Sequence, residues 1–146
     1  MIKRILKDER GGGLAGLALV LPIISLIIFF GFDLAGRSIV YQAALSGARE
    51  AARSYAQNQD LNLAKTYAEE AFNSQAGNFG TFKRLDISVV TDFNSDYVKA
   101  TVVSDVTNKS FEFAWDLIGS TPNNEIENTF INELEIQDGS GIANYN

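Results

Sequence analysis

From Gly11 to Phe32 the chain reads GGGLAGLALVLPIISLIIFFGF, 22 residues without a charge. A helix needs about 20 mostly apolar residues to cross a bilayer. A core helix of a soluble protein normally keeps a polar face, and none is visible here. A cleaved secretory signal has a shorter apolar core, about 7–15 residues. The run is therefore read as a membrane span. Its one hydroxyl, Ser25, can bond back to a carbonyl of its own helix. Pro22 sits mid-run; it would cost about 3 kcal/mol inside a soluble helix but is better tolerated where water cannot compete, and a kink is expected there.

Helical spacing does not stop at Phe32. Leu34, Ile39, Val40, Ala44, Ala48, Ala51, Ala52 and Tyr55 recur on one side, with Arg37, Gln42, Ser46, Arg49, Glu50 and Arg53 on the other. The pattern predicts one rod of roughly 40 residues, about 60 Å long, ending near Gln57. Ala43, Ala44, Ser46, Gly47, Ala48, Ala51 and Ala52 leave a surface that another backbone can approach closely, although Ala is also simply a good helix former. Gln59-Asp60 reads as a break. Asp60 is a candidate N-cap for a second helix from Leu61 to about Gln75, with Leu61, Leu63, Ala64, Tyr67, Ala68, Ala71 and Phe72 apolar and Gly77 as its stop.

The period then changes to two. Arg84–Thr91 puts Leu85, Ile87 and Val89 on one face and Asp86, Ser88 and Val90 on the other. Tyr97–Thr107 is a second β-rich run, and the polar Asp92–Asp96 between them completes an antiparallel hairpin. Phe111, Phe113, Trp115 and Leu117 alternate within Ser110–Ile118, as a third strand or as filler under the hairpin. Ile126, Phe130, Ile131, Leu134 and Ile136 interleave with Glu125, Glu127, Glu133 and Glu135, as a strand or a short helix. The tail Asp138–Asn146 is small and polar, and is expected to be mobile. The architecture predicted is α+β: a long N-terminal transmembrane helix extending outside the membrane, a second helix, and a small antiparallel β-sheet from about residue 83.

Composition removes several chemistries. With no Cys and no His, thiol nucleophiles, zinc clusters and a Ser–His–Asp triad have no side chains to build from. The net charge of −6 argues against nucleic acid, whose phosphates need clustered Lys and Arg. Charge is also asymmetric. Lys3, Arg4, Lys7 and Arg10 against Asp8 and Glu9 give the first ten residues a net +2, leaving −8 for the rest of the chain. Basic residues flanking a span stay cytoplasmic, so the N-terminus is expected inside and the acidic domain exported. Asp92-x-Asn94-x-Asp96 resembles the start of a calcium loop, but the sixth and twelfth positions, which need Gly and Glu, are Tyr97 and Val103. Gly11–Gly13 precedes a span rather than following a strand, so it is no phosphate loop. The C-terminal carboxylates read as a solvated face, not as a catalytic pair. No enzyme activity, cofactor or metal is expected.

The junction Glu9-Arg10-Gly11-Gly12-Gly13 and the block Leu17-Ala18-Leu19-Val20-Leu21-Pro22 resemble the N-terminus of TadE/TadF-like pseudopilins, minor pilins of tight-adherence (Flp-type) type IV pilus systems, whose apolar run begins F-A-L-V-x-P. Asp33-Leu34-Ala35-Gly36-Arg37 resembles the family's acidic-x-x-Gly-Arg stretch, and Ala43–Arg53 its Ala/Arg-rich helix; the resemblance covers residues 9–57. It implies a pilin-like fold and cutting by a prepilin peptidase between Gly11 and Gly12. The chain would then divide into a leader 1–11, a transmembrane and extended helix 12–57, and an exported domain 58–146. It further implies helix packing through Gly16, Pro22, Gly31, Gly36, Ala44, Gly47 and Ala48. The implied partners are other pilin or pseudopilin subunits, the peptidase, the pilus assembly platform and membrane lipid, with the chain in the cytoplasmic membrane or an extracellular pilus. The family's Glu at the fifth mature position falls here on Gly16. That departure suits a tip or priming subunit, or an uncleaved single-span envelope or secretion-system binding domain.

Overall fold

The computed structural model describes residues 9–92, 95–107, 115–116, 119 and 123–133. Helix α1 runs Glu9–Asn58, helix α2 Leu61–Ala76, and strands β1, β2 and β3 occupy Gly80–Asp92, Ser95–Val106 and Glu125–Glu133. The fold is α+β, with a three-stranded antiparallel sheet in the order β1-β2-β3. The described residues fall into two compact units. One holds α1 as far as Gly36 together with Trp115, Asp116 and Gly119; the other holds Arg37–Thr107 and 123–133.

The larger unit is built on a small-residue interface. In α2 the buried positions are Ala64, Ala68, Phe72 and Ala76, one every fourth residue, which aligns them along one stripe of the helix. Opposite them α1 buries Val40, Ala43, Ala44, Ala48, Ala51, Ala52 and Ala56. Side chains this short let the helices come close: a Cβ on Gly47 would lie 2.8 Å from the Ala68 carbonyl oxygen. The chain reverses between the helices through Gln59, whose φ is +52°, and Gln75 Nε2 donates to Ser46 Oγ at 3.0 Å. The Asp60 carboxylate accepts from the backbone N–H groups of Asn62 and Leu63 at 2.8 and 3.3 Å, capping α2. Gly77, with φ +52°, follows the last turn.

The sheet covers this helix pair. Phe82, Leu85 and Ile87 of β1, Val98, Ala100, Val102 and Val106 of β2, and Ile126 and Phe130 of β3 join the core. Phe72 and Phe82 meet edge-on, with ring centroids 5.9 Å apart. A bulge between Phe82 and Arg84 adds one residue and turns both Lys83 and Arg84 outward. Lys83 Nζ then reaches Asp105 Oδ2 at 2.8 Å and Glu125 Oε2 at 3.3 Å. The hydrogen bond to Asp105, then that to Glu125, holds its ammonium above its ordinary range. Two buried polar side chains of the sheet are tied in: Asn128 Nδ2 donates to the Tyr41 carbonyl at 2.8 Å, and the Thr101 hydroxyl pairs with that of Thr129 across strands at 2.9 Å.

These elements agree with the periodicities closely. The long helix, the second helix with its cap and stop, and the hairpin lie where the spacing puts them. The hairpin ladder continues to Asp92↔Ser95, so the connection is tighter than a loop of five residues. Glu125–Glu133 is a strand, not a helix. Of the Ser110–Ile118 stretch only Trp115 and Asp116 are described, and they are helical. Leu134, Glu135, Ile136, the tail and residues 1–8 lie outside the described residues.

Candidate functional site

The chemistry-bearing surface of the first unit is the apolar part of α1. Leu17, Leu19, Val20, Leu21, Ile23, Ile24, Ile27, Ile28 and Phe32 are all exposed, Leu19 to 74% and Ile27 to 66%. Among the described residues nothing covers them, and burying such side chains away from water gains about 1.5–3 kcal/mol each. The helix is long and apolar enough to cross a membrane, and its most apolar window is 6% buried. It continues through Pro22, whose missing N–H leaves one carbonyl of the preceding turn without its helical donor. One turn on, Ser25 Oγ donates to the Leu21 carbonyl at 2.8 Å, so its hydroxyl is paired within the helix.

Two residues mark where this surface ends. Asp33, the first charge after the run, is buried to 6% exposure. Trp115 reaches it from the connection between β2 and β3: its indole Nε1 donates to Asp33 Oδ2 at 3.2 Å. The same ring meets Phe30 edge-on, centroids 5.0 Å apart at 81°, an arrangement aromatic quadrupoles favour. The spacing along α1 gave no sign of this contact, because Trp115 arrives from 82 residues away.

The second unit carries a cleft of about 730 Å³ lined by Arg49, Glu50, Arg53, Ala56, Gln57, Phe130, Asn132 and Glu133. Arg49 and Arg53 stand one turn apart on α1, and the Arg49 guanidinium lies 5.5 Å from the centre of the Phe130 ring, a cation–π contact. The cleft sets two guanidinium groups and the two carboxylates of Glu50 and Glu133 beside an aromatic wall. The i, i+4 spacing of the arginines was legible in sequence; their apposition to Phe130 of β3 was not. Among the described residues, no group of three or more His, Cys, Asp or Glu side chains is placed to hold a metal ion.

The residues implicated in processing and packing separate by unit. Gly11 and Gly12 lie in the opening turn of α1. A Cβ on Gly16 or Gly31 would meet nothing within 4 Å, Pro22 is exposed, and Gly36 is buried. Ala44, Gly47 and Ala48 are buried within the chain itself, and Gly47 faces Ala68 and Phe72 of α2. The close approach that these small residues permit is thus occupied by the chain's own second helix. A comparison with protein-family models, with curated proteins and with solved structures finds no significant match.

Proposed function

We propose that this chain is a structural subunit of a type IV (Tad-like) pilus or pseudopilus, a minor pilin anchored by α1 before assembly and acting by helix packing and surface display. The observation that carries the reading is the division of labour along one helix. From Leu17 to Phe32 α1 exposes apolar side chains, and from Val40 to Ala56 the same helix is the spine of an α+β core. A subunit must hold lipid while waiting and exchange it for neighbouring helices on assembly, and the bare surface at Gly16 and Gly31 suits close helix contact. The basic Lys3, Arg4, Lys7 and Arg10 orient the N-terminus to the cytoplasm and the domain outward. Gly11, Gly12 and Gly13 each weaken the opening turn by about 1 kcal/mol relative to Ala, so a peptidase can unwind it for cutting between Gly11 and Gly12.

Gly16 supports a second reading. It stands where the resemblance places a carboxylate, and a chain without that charge also suits an uncleaved membrane-anchored envelope domain. The deciding measurement is the intact mass and N-terminal sequence of the protein from membranes and from sheared surface material. A chain beginning at Gly12 in the sheared fraction is expected. A chain still beginning at Met1 and confined to membranes would overturn the pilin reading and leave the anchored domain.

A further inference from the structure

Trp115 is the chain's single tryptophan, and it is spent on the end of the apolar stretch of α1. Its N–H goes to Asp33 at 3.2 Å, and its ring meets that of Phe30 in a T-shaped pair with centroids 5.0 Å apart. Asp33 is the first charge after the 22 uncharged residues. On the same turns Ile27, Phe32 and Leu34 remain more than 60% exposed. An amphipathic ring, half-buried, with its polar atom satisfied by a carboxylate, is therefore placed where the apolar surface meets the first charge. Indole rings prefer that level of a bilayer, because the apolar body enters the acyl boundary while the N–H stays among polar groups.

We propose that Trp115, with Phe30 beside it, is a second membrane contact: it seats in the headgroup layer on the exported side and ties the β2–β3 connection to the lipid surface. The proposal rests on reading Gly11–Phe32 as the span. The occupant is the lipid boundary rather than another protein, because the site is continuous with the apolar side chains of α1 that the span already commits to lipid. The Asp33–indole hydrogen bond sets the depth: it holds the ring against α1 at the level of the first charge after the apolar run.

A sole tryptophan makes the test direct. The full chain is reconstituted in phosphatidylethanolamine–phosphatidylglycerol vesicles. Trp emission is then quenched by lipids brominated near the headgroup, by lipids brominated near the chain end, and by aqueous acrylamide. An indole seated about 5–10 Å into the layer gives blue-shifted emission, quenched about twofold more by the shallow label than by the deep one and only weakly by acrylamide. Quenching by acrylamide alone would overturn the proposal. Protection from both lipid labels and acrylamide would also overturn it, by assigning the ring to a protein contact such as a second copy. The variant W115F carrying L21W reports on the span separately. If Trp at position 21 is quenched by the deep label while Trp115 is not quenched by lipid, this proposal fails and the span stands. If Trp at position 21 is not quenched by the deep label, the span reading itself fails.

Discussion

Gly47 is the residue on which the helix pair turns. A methyl added there would lie 2.8 Å from the Ala68 carbonyl oxygen, a backbone atom that cannot swing aside. Overpacking of this kind costs about 1–3 kcal/mol, while Ala in place of Gly returns about 1 kcal/mol of helix propensity. Gly47→Ala is therefore expected to lower domain stability by up to about 2 kcal/mol, read as a fall in the urea midpoint in detergent. Gly31→Ala, which meets open space, should not lower that midpoint. A midpoint raised by Gly47→Ala as by Gly31→Ala would mean that the helices do not approach as described. The same glycine that reads in sequence as one more small residue of a packing stripe is thus bound to a partner within its own chain.

Among the elements, α2 shows most directly how local chemistry sets an element's limits. Asp60 holds two backbone N–H groups at its first turn, and Gly77 adopts the positive φ that ends it. Replacing an N-cap carboxylate by Ala costs about 1 kcal/mol. Asp60→Ala should lower the melting temperature, and Asp60→Ser should restore most of the loss; a silent Asp60→Ala would show that packing of Phe72, not the cap, sets where α2 begins. In the sheet, the bulge at Lys83 is an element-scale device too. One extra residue gathers Lys83 over Asp105 and Glu125, an exposed pair whose contribution solvent screens heavily.

For the whole molecule, the testable consequence is orientation. The chain lacks Cys, so single-Cys variants report position without background. Tyr67→Cys, at a site 45% exposed on α2, should react with a membrane-impermeant maleimide in intact cells. In chains that still carry the leader, Lys3→Cys should react only after lysis. The reverse pattern would sink the proposed topology.

What the sequence determined by itself was everything governed by neighbours three or four residues away, or two. The 22-residue uncharged run depends on length and composition alone, while the Ala-rich continuation of α1, the capped α2, and the alternation of Leu85 and Ile87 each depend on local backbone geometry and on a single buried face. Arg49 and Arg53 were visible as an i, i+4 pair for the same reason. The tertiary structure alone decided which surface each small residue serves and where distant aromatics go. That Gly47 meets Ala68, that Asn128 bonds to Tyr41, that Phe130 lies under Arg49, and that Trp115 closes on Asp33 are pairings between segments 21 to 87 residues apart. No local period encodes such pairings. They follow from which arrangement buries Phe72, Phe82 and the alanine stripes together while leaving no buried amide or carboxylate unpaired at those contacts.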